Sequence, residues 1–200
     1  MSESVKCLEQ NIKSINSIGS IEMYIGPMFA GKSTILVHTA RKYLSIGMKI
    51  LAINNQRDKR YGYGKITTHD KVSIPCIMVE DLNEVLSNEN YFIQFKNSDI
   101  ILIEELQFFD NIEFIVKAAD KYNKKVLAFG LDGNYLRKPF QSVIDLIPYA
   151  DKVVKLKGFC KLCSDGTPSI FSKRIIKSDY NILVGGSDLY VSVCRKHFLE

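Results

Sequence analysis

Gly26-Pro27-Met28-Phe29-Ala30-Gly31-Lys32-Ser33 is the stretch whose reading decides the fold. It has the form G-x-x-x-x-G-K-S. An apolar run at residues 21–25 leads into it, and a helical pattern at 34–46, stopped by Gly47, follows. Backbone N–H groups of such a turn wrap a polyphosphate because no bulky side chains crowd them. The helix N-terminus behind the turn adds partial positive charge. In this geometry Lys32 reaches the β- and γ-phosphates and Ser33 holds Mg²⁺. A chance match is the competing reading, and the strand before the loop and the helix after it count against that. The loop predicts a bound nucleoside triphosphate.

Outward from the loop, short apolar runs alternate with helical patterns. Residues 49–54 (KILAIN), 99–104 (DIILIE), 125–130 (KVLAFG) and 152–156 read as strands, the second and third as runs covered on both faces. Residues 111–122 place Ile112, Ile115, Val116 and Ala119 on one helical face, with Asp110 as the expected N-cap. Residues 139–147 read as a further helix, and 54–71, with little periodicity, as a loop. This alternation predicts an α/β fold: a parallel-sheet nucleotide-binding core of the RecA-like P-loop kind. From residue 157 the texture changes to short β-like runs at 169–176 and 189–193, with Gly185-Gly186 between them, predicting a small β-rich subdomain. The expected division is a flexible N-terminal extension at 1–19, a core at 20–156 and the subdomain at 157–200.

Composition bounds the remaining possibilities. Two hundred residues with 46% hydrophobic content suit one domain or one domain with a small appendage. No apolar run approaches the roughly 20 residues needed to span a bilayer, and the polar N-terminus lacks a signal peptide's apolar core. The net charge of +5 suits anionic ligands. The basic residues are dispersed, which argues against a nucleic-acid surface. Five cysteines are not spread as a disulfide framework.

Two further constellations carry chemistry. The run at 99–104 delivers Glu104 and then Glu105 at a strand's carboxyl end, where open α/β sheets bind ligands. One carboxylate there suits Mg²⁺, directly or through water, and a neighbour suits a general base. A solvated acidic pair is the plainer alternative. Cys160-x-x-Cys163 and Cys194-x-x-His197 form two chelating pairs, the set expected for structural zinc. A redox Cys-x-x-Cys or two unrelated pairs are the other readings.

Taken in order, Gly26 to Thr34, Asp58-Lys59-Arg60-Tyr61, Thr68-His69-Asp70, Glu105-Leu106-Gln107-Phe108-Phe109, Leu131-Asp132-Gly133, Arg137-Lys138-Pro139-Phe140, Val153-Val154-Lys155-Leu156 and Gly185-Gly186-x-Asp188-x-Tyr190 resemble the type II thymidine kinases. That family contains the human cytosolic, poxviral and many bacterial enzymes. The resemblance covers nearly the whole chain from Ile21 onward.

It implies transfer of the γ-phosphate of ATP to the 5′-hydroxyl of thymidine, with Mg²⁺ and structural Zn²⁺, and a related acceptor such as deoxyuridine as the alternative. Carried over by position, Glu105 is the catalytic base. The loop from Gly26 to Ser33, with Asp58, Arg60, Glu104 and Gln107, serves ATP and its phosphates, and Ser33 and Glu104 serve magnesium. Met28, Phe108, Leu131, Tyr135 and Tyr190 line the nucleoside. Asn181, Ile182, Leu183, Val184 and Gly185 form a lasso loop that holds the base by main-chain groups. The resemblance further implies feedback by dTTP, a cytoplasmic homotetramer, and neither nucleic acid nor membrane as partner. The chain departs from the family pattern at Glu104 (usually Asp), Tyr135 (often Phe) and Ala30 (often Ser), and in the stretch after Cys163.

Overall fold

The computed structural model describes residues 18–58, 60, 62–177 and 185–200. Among these, strands β1 (Ser20–Ile25), β2 (Ile50–Asn55), β5 (Ile77–Val79), β6 (Ile100–Ile103), β7 (Lys125–Gly130) and β8 (Lys152–Lys155) form one sheet in the order β5-β2-β6-β7-β1-β8. Every pairing is parallel. The sequences explain this: Ile100–Ile103 is buried at every position, and Lys125–Gly130 at every position but the first. Strands covered on both faces need helices on both sides.

One face carries α1 (Lys32–Leu44), whose Leu36, Val37 and Ala40 pack on Leu102, Leu127 and Phe129. The other face carries α4 (Glu113–Asp120) and α5 (Gln141–Leu146), packed with Met23, Ile101 and Val126 in the larger core cluster.

Several expectations are corrected. Residues 54–71 are not simply a loop: β3 (Lys65–Thr67) pairs antiparallel with β4 (Ser73–Pro75). Each strand buries a single residue, Ile66 or Ile74, too little for a legible period. Asp110 does not cap α4; the Asn111 side chain accepts the Glu113 N–H at 3.0 Å instead. That helix buries Phe114, Ile115, Ala118 and Ala119, while Ile112 and Val116 are only partly covered. The helix expected at 139–147 is shorter, continuing as a 3₁₀ turn at Ile147–Tyr149. The strand β5 and the helices α2 (Glu84–Ser87) and α3 (Glu89–Asn97) were not expected. Asn88 caps α3, accepting from the Asn90 and Tyr91 N–H groups.

Beyond β8 the elements are short. β9 (Gly158–Phe159) pairs with β10 (Pro168–Ser169), and β11 (Phe171–Arg174) with β12 (Tyr190–Val193), both antiparallel. The last helix, α6, is Arg195–Leu199. The β11–β12 ribbon alternates in a telling way. Phe171, Val191 and Val193 join Cys160, Cys163, Cys194 and Phe198 in a small cluster. The same alternation places Ser172, Arg174, Tyr190 and Ser192 on the opposite face. No helix among the described residues is long and apolar enough to cross a membrane.

Candidate active site

The loops leaving β1, β6 and β7 converge at the carboxyl ends of adjacent strands. The first is the Gly-rich turn. Gly26 has φ 150°, and a Cβ there would lie 2.5 Å from the Leu156 carbonyl oxygen, so only glycine fits. Gly31, at φ 78°, opens α1 without a side-chain cap and without an acidic residue in the first turn. The first N–H groups of α1 therefore lack a competing side chain, which suits a bound anion. Lys32 Nζ donates to the carbonyls of Gly26 at 3.2 Å and Pro27 at 2.7 Å. Met28 to Ser33 line the cleft; Gly26 and Pro27 stand behind it and contribute through those carbonyls.

Glu104 and Glu105 both line the cleft, which adjacent residues of a regular strand could not do. The reason is local. Glu105 takes φ 56° and ψ 43°, a left-handed conformation that is costly for a non-glycine residue. The surroundings hold it there. Arg60 Nη2 and Gln107 Nε2 grip its two carboxylate oxygens. Arg60 is in turn fixed by Asp58, through Nε to Oδ1 at 2.6 Å and Nη2 to Oδ2 at 3.1 Å. Asn54 donates to Asp58 Oδ2 at 3.3 Å. Burial would raise the Asp58 carboxyl, but Arg60 outweighs it and holds Asp58 below its ordinary value. Gln107 Oε1 accepts the Leu131 N–H at 2.9 Å, tying the β6 and β7 loops together.

Glu104 behaves differently. Burial, reinforced by the neighbouring charge of Glu105, pushes its carboxyl up to about 8. Ser33 Oγ donates to Oε1, while the buried Oε2 has no hydrogen-bond partner among the described residues. An orphaned carboxylate oxygen beside the P-loop serine is what a divalent cation or its water would satisfy. These residues fit magnesium.

Sixteen residues of the sequence reading line this one cleft: Met28, Phe29, Ala30, Gly31, Lys32, Ser33, Asp58, Arg60, Glu104, Glu105, Gln107, Phe108, Leu131, Tyr135, Gly185 and Tyr190. Asn181, Ile182, Leu183 and Val184 lie outside the described residues. Sequence reading missed Asn54, Lys65, Ile66 and Thr67 as lining, and gave no cleft role to His69, whose ring lies 5.7 Å from that of Phe29. Ser172, on the cleft face of the ribbon, accepts the Met28 N–H at 2.9 Å and so joins the phosphate loop to the C-terminal strands.

The second constellation is compact. The ligand atoms of Cys160, Cys163, Cys194 and His197 all lie within 4.8 Å of one another. His197 Nδ1 stands 3.4, 3.3 and 3.5 Å from the sulfurs of Cys160, Cys163 and Cys194, and the Cys163 and Cys194 sulfurs are 3.8 Å apart. A tetrahedral zinc with bonds of about 2.3 Å to sulfur and 2.0–2.1 Å to nitrogen has ligand–ligand edges of roughly 3.5–3.8 Å. The donor set and its spacing fit zinc, with Nδ1 as the histidine ligand. Cys194 stands at the N-terminus of α6 and His197 one turn later, which is why C-x-x-H brings both to one point.

The family model described as "TK: Thymidine kinase" matches residues 19–198. The chain belongs to the thymidine kinase family. Among its relatives, the thymidine kinase of Oryza sativa subsp. japonica is 40% identical over 187 residues, covering 91% of this chain and 67% of that protein. The thymidine kinase of Yaba monkey tumor virus is 41% identical over 178 residues, covering 88% and 93%. That of vaccinia virus (strain Western Reserve) is 38% identical over 183 residues, covering 91% and 98%. The chain is a phosphotransferase of this family, and its P-loop cleft is an ATP-using site.

Proposed function

We propose that this kinase transfers the γ-phosphate of ATP to the 5′-hydroxyl of thymidine, giving thymidine monophosphate and ADP, with Glu105 as the base. The observation that carries the assignment is the left-handed turn at Glu105. It aims a carboxylate held by Arg60 and Gln107 into the same cleft as the Gly-rich loop. Phosphoryl transfer asks a protein mainly for positioning and charge neutralisation. The N–H groups of residues 29–33 and of the first turn of α1 cradle the triphosphate, Pro27 having none and the Met28 N–H being held by Ser172. Lys32 exchanges its two loop carbonyls for the β- and γ-phosphates. Glu105 accepts the 5′-hydroxyl proton as the oxygen attacks.

Ser33 and Glu104 hold magnesium, which when bound neutralises charge on the β- and γ-phosphates. Cys160, Cys163, Cys194 and His197 hold a structural zinc that fixes the small C-terminal strands, which have little core of their own. The division into a kinase core at 20–156 and a zinc subdomain at 157–200 follows from that change of support. Met28, Phe108, Leu131, Tyr135 and Tyr190 wall the nucleoside, with main-chain groups from Asn181 to Gly185 holding the base. The family resemblance extends the proposal to feedback by dTTP, to a homotetramer and to a cytoplasmic setting.

Steady-state phosphorylation of a nucleoside panel with ATP tests the reading. Thymidine is expected to give the highest kcat/KM; a higher value for another nucleoside, deoxyuridine included, would replace it as the acceptor.

A further inference from the structure

Two arginines tie the loop that carries Tyr135 to opposite faces of the same ribbon, Arg174 reaching from the ribbon and Arg137 from the loop itself. Arg174, the last residue of β11, lies directly across from Tyr190 in the register of β11 and β12. Its guanidinium sits 3.7 Å from the centroid of the Tyr135 ring, while Nη2 donates to the Tyr190 hydroxyl at 3.2 Å. Both tyrosines line the cleft. On the other face, Arg137 projects from the Tyr135 loop with its guanidinium 4.8 Å from the Phe198 ring and 5.5 Å from the Phe171 ring. Those two rings lie 5.0 Å apart, tilted 52° to each other, in the cysteine cluster. Arg137 holds φ 61°, an unfavourable backbone that places its side chain where it can make this contact. The loop is closed on itself by the Gly133–Pro139 bridge, so a grip at Arg137 is transmitted to Tyr135 two residues away.

We infer that Arg174 and Arg137 are positioning residues that clamp the Tyr135 loop to the two faces of the β11–β12 ribbon, setting nucleoside affinity while leaving phosphate handling alone. The inference rests on the nucleoside side of the cleft proposed above. Arginine suits both places because its planar cation stacks on rings while its remaining N–H groups still donate, which lysine's point charge does not reproduce.

The test is steady-state kinetics of the full-length protein with thymidine and ATP varied separately. Arg174→Leu is expected to raise the thymidine KM roughly tenfold, about 1.4 kcal/mol, with the ATP KM within about twofold of the parent. Arg174→Lys, which keeps the charge and guards against a folding defect, is expected to raise the thymidine KM about threefold, because a cation–π contact is worth only a modest energy. Tyr135→Leu combined with Arg174→Leu should cost no more than the worse single change, as coupled partners do.

An unchanged thymidine KM in both Arg174 variants, equal losses for both substrates, or additivity in that cycle would overturn the clamp. Thermal midpoints of Arg137→Leu, Phe198→Leu and the double variant supply a readout free of activity; non-additive losses are expected, and additive ones contradict the Arg137 contact. Should the parent phosphorylate another nucleoside instead of thymidine, the acceptor reading fails alone. The same split is then read on that nucleoside.

Discussion

The two halves of the cleft are built on different supports. The phosphate half stands on the carboxyl ends of β1 and β6, strands buried in a six-stranded parallel sheet with helices on both faces. Its side chains interlock: Asn54, Asp58, Arg60, Glu105 and Gln107 form one chain of hydrogen bonds ending on the Leu131 N–H. The nucleoside half takes Met28, Phe108 and Leu131 from the loops of that sheet, but Tyr190 and the face beside it hang on two-stranded ribbons that have a core of only a few residues. What holds it is the cysteine and histidine cluster, the arginine–ring contacts and the Ser172 bond to Met28. A kinase that must exchange nucleosides while keeping in-line geometry on a triphosphate needs rigidity in the first half and can tolerate give in the second.

The contrast can be broken at several points. Lys32→Met should have the largest effect, lowering kcat by roughly 10²–10³, the scale of losing one charged stabiliser of the transition state. Thymidine binding, measured by calorimetry, should stay near that of the parent. A loss of both affinities together would show that the halves are not independent.

Zinc removal attacks the other half. Dialysis against a chelator, or Cys163→Ser, should weaken thymidine binding by more than about tenfold, because a metal site's binding energy is largely local folding energy. ATP binding and the far-ultraviolet signal of the parallel core should persist. Global unfolding at the same step would contradict the separate supports.

Asp58→Asn keeps the shape but loosens Arg60, so kcat should fall about tenfold with little change in either KM, as for a group that only orients others. An altered thymidine KM would instead place Arg60 on the nucleoside side.

A smaller effect is pH-dependent. The Glu104 carboxyl titrates near 8 in the folded protein against an ordinary 4.5. The folded state therefore keeps its proton where the unfolded chain has lost it. Stability contributed by this residue declines as pH rises from about 4.5 and levels off above about 8. Magnesium competes with that same proton, so its apparent affinity should rise with pH and flatten above about 8. Glu104→Gln should flatten both profiles, as followed by thermal melts and magnesium titrations; a profile retained in the variant would assign the titration to another group.

How much of this was legible in the sequence differs along the same divide. The Gly-rich loop, β7 and the two glutamates at the end of β6 were readable because local pattern and chemistry coincide there. A buried strand shows as an apolar run, and a carboxylate pair at its carboxyl end lies where open α/β sheets bind their ligands. The cysteine and histidine pairs were readable from their two short C-x-x-C and C-x-x-H spacings, while the long gap between the pairs left a redox or unrelated reading open. Asn54, Lys65 and the clamp arginines were not, since their positions depend on approaches between segments far apart in the chain. Arg174 and Tyr135 are separated by α5, a 3₁₀ turn, the strands β8, β9 and β10 and the Cys160-x-x-Cys163 turn. The β3–β4 hairpin escaped notice because three-residue strands burying one side chain each leave no period to detect. Asp110 was expected to cap α4 because it precedes the apolar pattern, but the helix starts later and Asn111 reaches its first N–H.

The central claim is that Glu105 removes the 5′-hydroxyl proton of thymidine in a cleft whose phosphate site works without it. Single-turnover phosphorylation of thymidine by Glu105→Gln, alongside ATP binding to the same variant, tests it most directly. The account predicts a fall of roughly 10²–10⁴ in the rate, the range of a lost general base, with ATP affinity within about threefold of the parent. A rate within tenfold of the parent, with ATP bound normally, would contradict it and move the base elsewhere in the cleft.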